Sequence, residues 1–385
     1  MNEFATLTTD ERALLRRVEV FASDVVAPAA ARWDRDNAYA RDAIAEAAAL
    51  GLTGLQVPNS MGGLGHSFSC KAQLADILAA ADFGFAMALI NTQNVAYKLA
   101  RDASPEVAAR YIPDLLAAKR LGSTALTEPH AGSDFAAITT LASANSDGWQ
   151  VNGTKAWIIN TVASDVVVLY AQTEAGSGGA GIAAFLIDGT RPGFVRSAPF
   201  ELTAQHTIGV GGFELKDYQV DKEELLQPAG QAFKFALRDI NGARIYVAAM
   251  CCGMVDAALR IAADYGRTRQ TFGRRLGQHQ GWRWSLGEAD VDLTAARQMV
   301  AHAATLIDRN EDAQFAAAKT KIFATRMAER HLPALAQLMG AEGLRDAYPF
   351  ARHQIGARIA GFVDGSTEML LERITGTYAK ESRPS

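Results

Sequence analysis

The 385-residue sequence is poor in cysteine, with only Cys70, Cys251 and Cys252. So small an odd set excludes a disulfide framework and fits a reducing compartment, so a cytoplasmic location is expected. Cys251 and Cys252 lie in the apolar run YVAAMCCGMV, and no further Cys or His falls at ligand spacing. That points to core packing rather than a metal site. An excess of one charge is also missing: 38 basic residues face 42 acidic ones, for a net charge of −4. This balance favours neither nucleic acid nor an anionic membrane as partner. No run reaches about 18 consecutive apolar residues, so membrane insertion is not expected. The charged start MNEFATLTTDERALLRR contains no signal core. No G-x-G-x-x-G or Walker loop occurs, so the common nicotinamide and nucleotide-triphosphate sites are not indicated. Internal repeats and low-complexity tails are absent as well.

What is present is ordinary globular composition, 49% hydrophobic and 21% charged, enough for a large core. Residues 1–120 read as helices. Thr9 or Asp10 is the expected first cap, and Leu14, Leu15, Val18, Phe21 and Val25 follow at helical spacing. The Gly-rich loop NSMGGLGHS interrupts this region. Residues 121–230 change texture to short β-type runs separated by Gly, Asp and Ser, with a hairpin signal at SDGW and a flexible loop at EAGSGGAG. Strands without intervening helices predict an antiparallel sheet or barrel. Residues 231–385 return to helix and predict a four- or five-helix bundle, built round a first helix that is apolar on nearly all sides. The fold class is therefore α+β multidomain: α-helical domain, antiparallel β domain, α-helical bundle.

Five segments carry chemistry, each with a plainer alternative. TALTEPHAGSD offers backbone N–H groups and the hydroxyls of Thr127 and Ser133 to a planar polar ring or a phosphate; the alternative is a β-turn with Asp134 as a cap. VNGTKAWIIN places Trp157 as a wall for a flat cofactor, or else as a core tryptophan. In YGRTRQTFGRRLGQHQ, Arg269 and Thr271 can grip a pyrophosphate, or the segment is a solvated basic turn. Phe272 among these charges suggests an anchored loop. The glycines of QLMGAEG permit close approach of a ligand or form a helix–helix turn. Asp364 in FVDGSTEMLLERI is either a helix cap or a catalytic base.

In this order the set resembles the acyl-CoA dehydrogenase flavoprotein family nearly end to end. GLTGLQVPNSMGGLG, ALTEPHAGSD, GTKAWIIN, YGRTRQTFGRRLGQHQ, QLMGAEG and FVDGSTEM match its segments in sequence. The resemblance implies FAD held between the β domain and the C-terminal bundle, in a homotetramer or homodimer whose neighbouring subunit also touches the cofactor. Carried over by motif, Leu126, Thr127, Ser133, Trp157 and Ile159 would line the flavin. Arg269, Thr271 and Phe272 would meet the pyrophosphate and adenosine, with Gln280, Gln337 and Gly340 nearby. Ser366 and Glu368 would close the FAD end of the last motif. Ser133, Asn241, Arg244 and Gly365 would face an acyl-CoA or acyl-carrier-protein thioester. The implied reaction removes the α-proton with a base and passes the β-hydride to flavin N5. Electrons then go to an electron-transfer flavoprotein or O2.

Two departures from the family pattern matter. The usual Glu of the last motif is Asp364 here, and Ala243 stands where some members carry an alternative Glu. Aspartate is shorter by one C–C bond, about 1.5 Å, so an altered pocket and an unusual acyl group (branched, cyclic or tethered) are expected. Ile159 replaces a common hydroxyl near flavin N5. Aspartate at the base position also occurs in nitroalkane oxidases. The competing expectations are therefore an oxidase or monooxygenase of the same fold, and a non-catalytic flavin-binding subunit with Asp364 as a cap.

Overall fold

The structure, a computed structural model, describes residues 7–381. Residues 1–6 of the charged N-terminal stretch lie outside the described residues. Helix α1 (Thr9–Phe21) starts one residue earlier than its expected cap: Thr8 Oγ1 accepts from the Glu11 amide at 3.2 Å, and Glu11 accepts from the Thr8 amide at 2.8 Å. This reciprocal box satisfies two orphan donors at once. Glu11 also accepts from the Ser67 amide at 2.7 Å, tying the first helix to the start of the fourth. The helix passes through one π turn at Ala22–Val26 into α2 (Ala27–Arg35). Helices α3 (Arg41–Ala49), α4 (Phe68–Ala81), α5 (Phe83–Asp102) and α6 (Pro105–Leu116) follow. Ser67, Asp82 and Ser104 cap α4, α5 and α6 with their side chains.

The strands are β1 (Gly122–Ala125), β2 (Leu141–Ala144), β3 (Gly148–Ile158), β4 (Val166–Gln172), β5 (Ile182–Asp188), β6 (Phe194–Arg196), β7 (Gly211–Asp221) and β8 (Leu225–Gln227). They form one sheet in the order β6-β7-β3-β2-β4-β5-β8, with β1 beside β4. The sheet is antiparallel except that β1, and one residue pair of β2, run parallel to β4. Alternating polarity cannot reveal that exception, because β4 and β5 are buried along their whole length. The hairpin at SDGW joins β2 to β3, its turn held by Asn145 Oδ1 accepting from the Asp147 and Gly148 amides. The EAGSGGAG segment is more ordered than its composition suggests. It closes into a 3-10 turn at Gly178–Gly181, with the Thr173 amide donating to the Gly181 carbonyl at 2.8 Å.

Helix α7 (Ala232–Thr268) leads to a short hairpin of β9 (Gln270–Thr271) and β10 (Arg274–Arg275). Helices α8 (Gln280–Asp308), α9 (Gln314–Gln337), α10 (Phe350–Phe362) and α11 (Thr367–Glu381) complete the chain. By length and composition α7 could cross a membrane, yet most of its apolar window is buried against other helices. Cys251 and Cys252 sit there, free and buried, and burial pushes the Cys251 thiol up to about 12. One apolar core runs through α1–α5 and α7–α10. At its centre α4 and α7 touch backbone to backbone: a Cβ on Gly253 would lie 1.9 Å from the Asp76 carbonyl oxygen. No other residue fits there.

Candidate active site

The two β-region segments are brought together by a pair that motif matching did not single out. Lys155, on β3, donates to the Leu126 carbonyl and to Glu128 Oε1, both at 2.9 Å. Glu128 also accepts from the Thr139 and Thr140 amides at 2.7 and 2.9 Å. Burial opposes its charge, but Lys155 and these donors hold its carboxyl down to about 2. The Ala156 amide donates to the Thr127 carbonyl at 3.1 Å. Leu126 and Thr127, both half-buried, therefore sit beside Trp157.

Trp157 is not a core tryptophan. The β3–β7 register shifts between Lys155 and Ile158, and this bulge leaves Ala156 and Ile158 inward while Trp157 turns out, 58% exposed at φ +59. Bulges re-aim side chains in this way. One edge of the indole meets Phe200 at a centroid distance of 4.7 Å; the rest is available to a flat ligand. Ile159 is half-buried next to it, and Asn160 anchors the strand end by donating to the carbonyls of Ala88 and Gly122. Ser133 is exposed on the preceding loop, and Asp134 makes no side-chain cap.

A second group gathers at the end of the bundle. Arg244, buried on α7, donates from Nε to the Asp364 carbonyl at 2.9 Å and from Nη1 to Asn241 Oδ1 at 2.8 Å. Lys321, buried on α9, donates to the Gly365 carbonyl at 2.6 Å. Two cations thus clamp the turn in which Asp364 (φ +56) and Gly365 (φ +97) both adopt left-handed backbone. Strain of this kind in a non-glycine residue persists only where surroundings enforce it. Asp364 is half-buried and is not the helix cap: Ser366 Oγ receives the Met369 amide at 3.4 Å at the start of α11. Burial raises the Asp364 pKa above its ordinary value, while Lys321 and Arg244 pull the other way. Glu368 is exposed on α11, and Ser366 faces the turn half-buried.

The third group surrounds the arginine hairpin. Arg269 and Gln280 are exposed, and the Leu276 amide closes on the Arg269 carbonyl at 2.8 Å. His279 Nε2 meets the Thr271 carbonyl at 3.3 Å. Phe272 does not anchor this loop; it stands 94% exposed at φ +51. Trp282 Nε1 donates to the Leu338 carbonyl at 3.1 Å, which brings Gln337 and Gly340, both exposed, alongside the hairpin. Among the described residues no hydrogen bond or ion pair joins one of the three groups to another. Lys155, Glu128, Asn160 and Lys321 are the functional candidates that sequence reasoning missed. Lys155 stood inside a quoted segment; Lys321 is one lysine in an Ala-rich helix and gives no local signal.

The residue types suit a dinucleotide carrying a flat ring: an open indole with aliphatic neighbours in the first group, exposed Arg269 with half-buried Thr271 in the third. Among the described residues no cluster of His, Cys, Asp and Glu could hold a metal ion.

Comparison with known proteins bears on the family and the fold. Residues 8–119, 123–218 and 230–378 match the family models for the N-terminal, middle and C-terminal domains of acyl-CoA dehydrogenase. The short-chain specific acyl-CoA dehydrogenase of Megasphaera elsdenii is 30% identical over 378 residues, 96% of this chain and 98% of that protein. The solved butyryl-CoA dehydrogenase of the same organism superposes with a TM-score of 0.93 at 29% identity, covering 98% of this chain and all of that one. A chain solved in work on the electron transferring flavoprotein of Acidaminococcus fermentans gives 0.93 at 28% identity, with both chains fully covered. This chain belongs to the acyl-CoA dehydrogenase family.

Proposed function

We propose that the protein is an FAD-dependent dehydrogenase of acyl thioesters, borne on CoA or a carrier protein, with Asp364 as the base. The observation that carries this reading is the Asp364 turn: a half-buried, strained carboxylate, clamped through its own and the next carbonyl, with no capping duty. Burial raises its pKa, which makes it a better proton acceptor than a solvated aspartate, and the nearby Lys321 and Arg244 oppose that rise and favour the carboxylate. Asp364 takes the proton α to the thioester carbonyl, while Arg244 and Lys321 hold the carboxylate in place. Trp157, with Leu126 and Ile159, forms a wall for the ring, and Arg269 with Thr271 binds the pyrophosphate by charge-assisted hydrogen bonds. When bound, FAD supplies the acceptor for the β-hydride. Ser133, Asn241 and Gly365 are assigned to the substrate, Phe272, Gln280, Gln337, Gly340, Ser366 and Glu368 to the cofactor.

On the same reading, segments 1–120, 121–230 and 231–385 act as three domains and the protein is cytoplasmic. The protein assembles into a homotetramer or homodimer, and exposed Phe272 and Leu344 are apolar side chains that such an interface would cover. The electron acceptor is an electron-transfer flavoprotein. A second reading, an oxidase passing electrons to O2, is favoured by one feature: Ile159 brings no hydroxyl to the ring.

Anaerobic mixing of the holoenzyme with an acyl-CoA panel tests the proposal. The flavin should bleach, and Asp364→Asn should stay yellow and unreduced with FAD bound. Normal reduction of that variant overturns the assignment. Stoichiometric O2 uptake with peroxide release establishes the second reading instead.

A further inference from the structure

Close to Asp364, α4, α5 and α7 share a polar assembly that the mechanism above does not use. Lys71 on α4 is buried at 2% exposure. Its ammonium donates to Gln56 Oε1 at 3.0 Å and to Asn94 Oδ1 at 2.6 Å, both neutral amides. Among the described residues it makes no ion pair. Asp239, whose charge reaches it, is already engaged by Lys98 at 3.5 Å and Arg101 at 2.8 Å. Burial brings the Lys71 pKa down to about 7. A buried cation without a counter-ion is costly to keep.

A lysine ammonium can only donate, and in that form it sets the direction of every hydrogen bond attached to it. The amide oxygens of Gln56 and Asn94 turn toward Lys71, and their nitrogens turn away. Asn94 Nδ2 donates to the Tyr246 hydroxyl at 3.1 Å. The phenol oxygen is thereby occupied, and its proton points onward; no acceptor among the described residues receives it. Gln56 and Asn94 are half-buried, and among the described residues the Gln56 amide nitrogen donates to no side chain or carbonyl. Burial, then the Asp364 carboxylate, raises the Tyr246 pKa, which puts that phenol in electrostatic reach of the base. The assembly thus gathers donors of Gln56, Asn94 and Tyr246 round a buried lysine that has no carboxylate partner and lies over the Tyr246 ring at 5.5 Å.

We propose that Lys71, Gln56, Asn94 and Tyr246 form the recognition site for the far end of the acyl group, and that this end is a carboxylate. The inference rests on the acyl-thioester reading and deepens it. A carboxylate supplies both missing partners, a counter-charge for Lys71 and acceptors for the outward protons of Tyr246 and Asn94. A methyl end leaves those donors unpaired, and sites built from buried donors reject analogues that cannot accept from them.

The test uses the holoenzyme and pairs of acyl-CoA thioesters of equal chain length, one ending in methyl and one in carboxylate, read by anaerobic flavin bleaching. The carboxylate member should lead in kcat/KM by about tenfold or more. Lys71→Met should bring the ratio near one. Tyr246→Phe, which keeps the ring, should reduce the ratio several-fold if Lys71→Met does not fold. Equal rates for the two members, or a ratio unmoved in both variants, overturn the proposal. Free dicarboxylates titrated into the holoenzyme by calorimetry separate the two claims. Lys71-dependent binding upholds the anion site even if no thioester bleaches the flavin, a result that would sink the dehydrogenase reading alone. No binding of dicarboxylates together with no preference among thioesters overturns the site.

Discussion

The ammonium of Lys155 meets the carboxylate of Glu128 at 2.9 Å, with 0% and 1% of their side chains exposed. This one contact fixes the loop carrying Leu126 and Thr127 against the bulge that presents Trp157. Removing either partner strands the other charge inside the protein. Lys155→Met should therefore cost about 3–5 kcal/mol of stability. Denaturant midpoints of the variant measure it, and an unchanged midpoint would show that the pair is not structural.

The same pair makes stability depend on acid. Glu128 is held near 2 when folded against an ordinary 4.5. A carboxylate depressed by folding contributes in full above its unfolded pKa, and that contribution is lost as pH falls from 4.5 toward 2. Thermal scans through this window should show a steep decline, and Glu128→Gln should flatten it. An equally steep decline in the variant would point to other carboxylates.

Lys321 should act on Asp364 without touching substrate. Its charge opposes the rise in the Asp364 pKa, so Lys321→Met should move the acidic limb of the kcat profile to higher pH. Lys321→Arg should restore much of the original position. A limb that stays put in Lys321→Met, with FAD still bound, would leave Lys321 only a backbone tie.

Asp364→Glu lengthens the side chain by about 1.5 Å. In a pocket shaped for the shorter acid, kcat should fall by about tenfold or more while FAD occupancy is kept. Equal rates for the two acids would remove the argument from reach.

The hairpin offers a test that is independent of turnover. Arg269→Ala should weaken FAD retention through gel filtration, and Phe272→Asp should lower the apparent mass of the assembly. A fully loaded Arg269→Ala protein, or an unaltered mass for Phe272→Asp, would rule out the corresponding role.

The sequence made the helices and the order of the segments legible, because apolar spacing and turn residues are local signals. Asp364 as an acid at a Gly-Ser turn was visible too; its left-handed backbone and its clamp from α7 and α9 were not, since Arg244 and Lys321 are far away along the chain. Trp157 taken by itself read more readily as a core tryptophan than as the outward wall it is, because a bulge is a property of two strands. Phe272 looked like an anchor by its chemistry and proved bare. Asn160, Glu128 and Lys155 were hidden in plain view: each is a common polar residue whose role exists only through partners on another element.

The shared core has a consequence for how the chain is made. Helix α4 rests its backbone on α7 at Gly253, and α7 leaves the ribosome only after the entire sheet has been synthesised. Until then the oily sides of the first helices have no permanent cover, so premature termination or slow translation within the sheet should yield a sticky, chaperone-dependent fragment rather than a stable half-protein.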